Sequence, residues 1–186
     1  ENIVNYPLTS QFEYLADEAW PHFAYGKNSV YEKGHHGNAI LSRFPIKSFS
    51  NLDLSTNRLE SRGLLHATIE MADTSHVHIL TTHLNLMGSS RALQTKKIID
   101  YVSSHIEPHE RIIFAGDFND WQNKLSEPLA QELKLKEVFK ERHGHHAKTF
   151  PSFFPLLNLD KIYYRNLNEI EAWCLQGEIW EKLSDH

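Results

Sequence analysis

Four consecutive apolar residues, Ile112, Ile113, Phe114 and Ala115, stop abruptly at Gly116 and give way to Asp117, Phe118, Asn119 and Asp120. A run of this kind predicts a strand buried on both faces, with a glycine where the backbone turns and polar groups at the strand's tip. Upstream the period changes. Leu93, Ile98, Ile99, Val102 and Ile106 form an apolar stripe at helical spacing, with Lys96 and Lys97 outside it and Ser89 or Ser90 placed to cap the helix. Residues 64–70 and 76–84 alternate around turn chemistry at 71–75, which predicts a hairpin. Strand, helix, strand then implies a crossover and parallel or mixed pairing.

The flanking segments are less regular. Ser10, Gln11, Phe12 and Glu13 fit a capping box, and Phe12, Leu15, Ala16 and Ala19 continue as a short amphipathic helix that Pro21 ends. Residues 21–36 are aromatic and polar without clear period, residues 34–37 read as a loop, and 38–42 as a short strand closed by Arg43, Phe44 and Pro45. Residues 51–61 are polar and predict a loop. Ser126, Glu127 and Pro128 open a helix through Leu133, since proline early in a helix costs no intrahelical bond. Residues 159–164 restart a strand, with 169–175 as its expected partner.

Histidine is abundant, thirteen in 186 residues, and each cluster has two readings. The adjacent His35 and His36 point opposite ways in an extended chain, so loop polarity or a substrate contact suits them better than a shared metal. His76 and His78 share one strand face, a geometry that can hold zinc but that a solvated face explains better, without a ligand. Residues 142–148, basic and imidazole-rich, read as an exposed hairpin tip, with a mobile loop touching an anionic substrate or a zinc site as the functional alternatives.

Composition narrows the classes. At 186 residues, 40% hydrophobic and 23% charged, the chain is ordinary for a soluble globular protein and predicts one domain over 1–186. No apolar run approaches the roughly 20 residues needed to span a bilayer, and the first residues lack the sections of a signal peptide. The single Cys174 makes neither an internal disulfide nor a cysteine zinc cluster, and is compatible with a reducing compartment such as the cytoplasm. A net charge of -5 offers no overall attraction to phosphate polymers, although a local basic patch still can.

The polar residues at the ends of the apolar strands are His83, Asp117, Asn119, Asp160, Asp185 and His186. Hydrolysing a phosphate ester needs a cation on the phosphoryl oxygens, a carboxylate or imidazole to align and deprotonate water, and donors for developing negative charge. Carboxylate and amide oxygens suit Mg²⁺ or Mn²⁺. For Asp117 and Asn119 alone, an Asx turn is an equal account.

Seven short motifs, at residues 37–46, 62–63, 82–84, 116–119, 149–152, 159–162 and 184–186, occur in the order seen in the endonuclease/exonuclease/phosphatase superfamily, which the chain resembles over nearly its whole length. The resemblance implies a DNase I-like, four-layered α/β sandwich, with two packed mixed sheets flanked by helices. It further implies that His186 contacts the scissile phosphate, that Asp160 orients His186, that Asp117 aligns the attacking water and that Asn119 holds a phosphate oxygen. His83 resembles a second histidine of the DNase-like branch. Asp185, with Asp117, is the implied metal ligand, and Arg62 is either a phosphate contact or half of a structural salt bridge. Members of the superfamily begin with a strand carrying an Asn and then a metal-binding Glu. This chain has neither before its first helix, so it is expected to be N-terminally incomplete.

The leading expectation is therefore a divalent-metal-dependent phosphoesterase acting by direct water attack on a phosphodiester or phosphomonoester, in either the nuclease or the lipid/inositol phosphatase branch. Its partners would be a phosphate-ester substrate, such as nucleic acid or a phospholipid headgroup. The alternative is a noncatalytic phosphoester-binding remnant of such an enzyme. Oligomeric state is not legible in the sequence.

Overall fold

A strand without hydrophobic alternation opens the described part of the chain. The computed structural model describes residues 20–186 apart from 33, 59, 169, 170 and 176, and the helix expected over 10–19 lies outside these. β1 (His22–Tyr31) and β2 (Gly34–Ser42) pair antiparallel, with a bulge between Lys27 and Ser29. The expectation of aperiodic chain over 21–36 and a loop at 34–37 is thus corrected. The buried positions of β1 are Ala24 and Gly26, whereas Phe23 faces out, so its inward face is made of small residues and hydropathy conceals it.

The small residues serve close approach. A Cβ on Gly37 would lie 2.0 Å from the Gly26 carbonyl oxygen, and one on Gly26 would lie 2.4 Å from Asn51 Oδ1. Beneath the hairpin, β3 (Ile46–Asp53), β4 (Gly63–Glu70) and β5 (His76–His83) form an antiparallel meander. The hairpin of β4 and β5 is as expected, while β3 extends into the expected loop as far as Asp53. Ala24 and Ile40 pack onto Leu65, Ala67 and Ile69, so two sheets meet face to face. Asn38 Nδ2 donates to the Gly63 carbonyl at 3.0 Å across the same interface. Because β4 is buried on both faces from Gly63 to Ala67, its neighbour is covered too. His78 is buried against His66, with His66 Nε2 2.8 Å from His78 Nδ1, and only His76 remains on a solvated face.

All of this belongs to the first of two compact units, which divide after His83. In the second, β6 (Arg111–Asp117), β8 (Asp160–Arg165) and the short β7 (Lys136–Glu137) are antiparallel in the order β6-β8-β7. Phe114, Phe118 and Tyr163 meet edge to face at its centre and are fully buried. Residues 171–175, expected to pair with β8, form no strand; β6 and β7 occupy its two sides.

Helix α1 (Gly88–His105) buries Ile98 and Val102 as expected, but it follows Met87 and takes no side-chain cap from Ser89 or Ser90. Leu93 is 58% exposed, so the expected stripe is rotated. Polar side chains take its place inside. Gln94 accepts from Asn85 N and donates to Asn85 Oδ1, both at 3.0 Å, while Arg91 Nη1 donates to the Asn85 and Leu86 carbonyls. α2 (Ser126–Leu133) is as expected. α3 (Val138–His143) takes in the first two residues of the expected tip at 142–148 and the rest is loop: Glu137 caps the helix start, and Gly144, at φ 77°, ends it. α4 (Glu178–Leu183) precedes the closing residues. The eight described strands lie in two sheets and, with the helices, make a mixed α/β fold.

Candidate active site

Antiparallel pairing of β6 with β8 sets Asp117 opposite Asp160 at one end of the sheet. His186 closes the group. Its Nδ1 donates to Asp160 Oδ2 at 2.7 Å, and its Nε2 lies 3.9 Å from Asp117 Oδ2. Asp160 is itself oriented, because Thr149 Oγ1 donates to the same Oδ2 at 2.5 Å and accepts from Asp160 N at 3.2 Å. The closing residues are clamped to the chain after Thr149: Ser152 N donates to the Asp185 carbonyl and Ser152 Oγ to the Ser184 carbonyl, each at 2.8 Å. The Phe150 ring lies 4.8 Å from the His186 ring, covering one side.

Burial opposes charge on His186. The hydrogen bond and charge of Asp160, joined by the charges of Asp117 and Asp185, outweigh it and hold the imidazole pKa above its ordinary 6.5. The bond to Asp160 also commits Nδ1 as the donor, which leaves Nε2 as the working nitrogen.

Asp117 and Asn119 combine both readings of their sequence. Asp117 Oδ1 accepts from Asn119 N at 2.8 Å, an Asx turn, and Asn119 adopts φ 50°. That turn sends the Asn119 amide inward, where Nδ2 donates one hydrogen to the Leu84 carbonyl at 2.9 Å and retains a second. The loop beyond is held from below. Lys161 Nζ reaches Asp120 Oδ2 and the Asp120 carbonyl, both at 3.3 Å, and Asn123 Oδ1 at 2.9 Å. Sequence reasoning assigned no role to Thr149, Asp120 or Lys161. The available signal was a lysine inside a strand, next to the residue that orients the histidine.

Of the residues singled out in the sequence, Asp117, Asn119, Asp160, Asp185 and His186 belong to this second unit, whereas Arg62 and His83 belong to the first. His83 is half-buried at the end of β5. Arg62 makes the ion pair: its guanidinium Nη2 is 3.4 Å from Glu60 Oε1, and its side chain is largely buried.

Among the described residues no three His, Cys, Asp or Glu side chains are grouped so as to hold a metal ion. A hard ion such as Mg²⁺ needs only one or two protein carboxylates and completes its shell with water and phosphate oxygens. Two carboxylates whose charge reaches His186, Asp117 and Asp185, fit that donor set.

Comparison with known proteins gives the family and the fold. Residues 4–186 match the Endonuclease/Exonuclease/phosphatase family, whose members generally use divalent metals. The chain is 42% identical over all 186 residues to the uncharacterized protein YbhP of Escherichia coli K12, covering 73% of its length. It is similar to a crystal structure of an endonuclease/exonuclease/phosphatase from Beutenbergia cavernae (TM-score 0.65, 18% identity, 81% of this chain and 47% of that one). The human Nocturnin catalytic domain with bound sulfate is also similar (0.63, 18%, 77% and 59%). So is the mannosyl-6-phosphatase Bt3783 of Bacteroides thetaiotaomicron (0.62, 18%, 83% and 66%). The chain thus spans about half to two thirds of the length of these structures, and the likeness shows the DNase I-like α/β fold expected from the sequence.

Proposed function

The chain belongs to the endonuclease/exonuclease/phosphatase family, a superfamily of phosphoesterases, and from that premise we propose that it is a divalent-metal-dependent phosphoesterase acting by direct attack of water. The observation that carries the reading is the His186 ring held by Asp160 on one nitrogen and facing Asp117 with the other. Asp117 aligns the water and takes its proton as the water oxygen bonds to phosphorus. His186, kept protonated by its acidic neighbours, donates from Nε2 to a phosphoryl oxygen and then to the departing ester oxygen as the P–O bond breaks. Asp160 fixes the tautomer and orientation of the ring. The remaining amide hydrogen of Asn119 suits a second phosphoryl oxygen, and Arg62 and His83 are assigned to substrate on resemblance alone. Asp117 and Asp185 would hold Mg²⁺ or Mn²⁺, which neutralises phosphate charge when bound.

Substrates of the neighbours differ: one zebrafish TDP2 structure holds a single-strand DNA product, and Bt3783 is named for a sugar phosphate. The proposed class is accordingly a phosphate ester, with nucleic acid and phospholipid headgroups as candidates. Among the described residues no helix is long and apolar enough to cross a membrane.

The test is hydrolysis of an aryl phosphodiester and an aryl phosphomonoester with Mg²⁺, with chelator, and by His186→Ala. Turnover that needs both the ion and His186, falling by about 10²-fold or more in the variant, supports the reading; turnover indifferent to either defeats it. The second reading is phosphoester binding without turnover. A folded chain that binds phosphate and turns over neither substrate would select it.

A further inference from the structure

Beside this site the second unit holds a cleft of about 410 Å³. One wall is α3 and the loop after it, with Phe139, His143, His145, His146 and Lys148; the other carries Trp173. His143 ties the walls together, since its Nε2 lies 2.6 Å from the Ala172 carbonyl and donates to it. The rings meet at an angle, His143 tilted by 40° and His145 by 61° to the Phe139 plane. His143 sits 4.2 Å and His145 5.5 Å from the Phe139 ring centroid, and Trp173 is 66% exposed.

Two observations put the cleft near the catalytic group. Lys148 directly precedes Thr149, whose hydroxyl holds Asp160. The Cys174 thiol in the cleft wall has its pKa raised first by burial and then by the charges of Asp160 and Glu137. The polar groups have a definite sense as well. His145 Nδ1 lies against the His146 carbonyl, and His146 Nδ1 donates to Glu137 Oε2 at 3.0 Å, so each imidazole has one nitrogen committed and presents the other as an acceptor. Among the described residues no carboxylate lines the cleft, and Lys148 is its cationic side chain.

We propose that this cleft is the leaving-group pocket of the phosphoesterase, and that it selects esters whose leaving group carries a flat heteroaromatic ring, as the base of a nucleotide does. The inference rests on the reading under Proposed function. The volume suits a nucleoside-sized group. Trp173 offers a face for stacking, which is tolerant of base identity, and the remaining imidazole nitrogens accept from the N–H and O–H groups of a base and its sugar. Lys148 would meet the phosphate side. An aliphatic leaving group such as glycerol would leave the aromatic face unused.

The experiment compares adenosine 5′-monophosphate, a short single-stranded oligonucleotide and glycerol 3-phosphate as substrates for the parent chain, Trp173→Ala and Trp173→Phe. In parallel, binding of adenosine alone is followed by imidazole and indole NMR shifts. Expected are a kcat/KM at least tenfold higher for an adenine-bearing substrate than for glycerol 3-phosphate, and a KM for it raised about tenfold or more by Trp173→Ala, with Trp173→Phe close to the parent. Glycerol 3-phosphate should be indifferent to both variants. The mononucleotide and oligonucleotide arms separate a free nucleotide from a strand end. Hydrolysis without ring preference, or unmoved by Trp173→Ala, overturns the pocket and leaves the phosphoesterase standing. Adenosine binding that shifts Trp173 and His145 without any hydrolysis keeps the pocket and removes the enzyme; neither binding nor preference removes the pocket.

Discussion

Replacing Lys161 with methionine should destabilise the second unit by about 3 kcal/mol. The Lys161 and Asp120 side chains are each 1% exposed, and the Asp120 carboxylate also accepts from Lys124 N at 3.1 Å and Leu125 N at 2.9 Å. Removing one partner of a buried pair costs about 3–5 kcal/mol, because the other charge stays behind without compensation. Here the two backbone donors still serve the carboxylate, which places the loss at the lower end. Burial lowers the Lys161 pKa more than Asp120 raises it, so the pair does not recover its full desolvation cost. Hence Asp120→Asn added to Lys161→Met should return at least about 1 kcal/mol, by removing the stranded charge. Urea unfolding followed by fluorescence and circular dichroism reads both effects; with a slope of about 2 kcal/mol per M, the first is a midpoint shift of about 1.5 M. A Lys161→Met chain within about 1 kcal/mol of the parent, or single effects that add within about 0.5 kcal/mol, would refute the reasoning.

Gly37→Ala forces a methyl group against the Gly26 backbone, which cannot move aside as a flexible side chain can, and should cost about 3 kcal/mol, the upper end of overpacking effects, in the same urea assay. Because the folded pKa of His186 is raised, its contribution to stability is complete below about pH 6.5 and is lost as pH rises through the folded value. His186→Gln should flatten that part of the stability–pH curve, and a parent curve already flat there would count against the pair. Asp160→Asn takes away the hydrogen-bonded charge that holds the imidazole up, so NMR titration of the His186 ring should show a lower midpoint, with turnover down by about 10²-fold. An unchanged midpoint would deny Asp160 its role.

What the sequence made legible follows from where polarity and side-chain size coincide. The hairpin over 63–83 was readable because turn residues at 71–75 separate two largely apolar segments, and helix α1 because Ile98 and Val102 recur at helical spacing. β1 was not, since Ala24 and Gly26 occupy its inward face and Phe23 its outward one. Leu93 failed for a related reason. Arg91 and Gln94 take the inward face of α1 to satisfy the carbonyls and amides of residues 85–86, so the apolar residue was displaced by hydrogen bonds that periodicity cannot report. The same holds for His78, whose burial depends on a second covered face of β4.

In the candidate site the ends of β6 and β8 were legible, because a buried strand that stops at a carboxylate must deliver it somewhere. The support beneath was hidden by an inversion. Along β8, hydropathy favours Ile162 for the interior and Lys161 for solvent, yet Ile162 is 48% exposed while Lys161, Tyr163 and Arg165 are buried on the other face. Their polar ends are satisfied by acceptors far away in sequence. Arg165 donates to the Leu133 carbonyl at 3.0 Å and the Glu107 carbonyl at 2.8 Å, and Lys161 to Asp120 and Asn123. A buried cation is tolerable only where such acceptors already exist, and the chain supplies these from loops fixed by other elements. The strand that carries Asp160 is therefore oriented by the loops around it as much as by its own pattern. Lys161, at the next position, holds the loop that carries Asn119 as well, so one strand end sets the geometry of both residues.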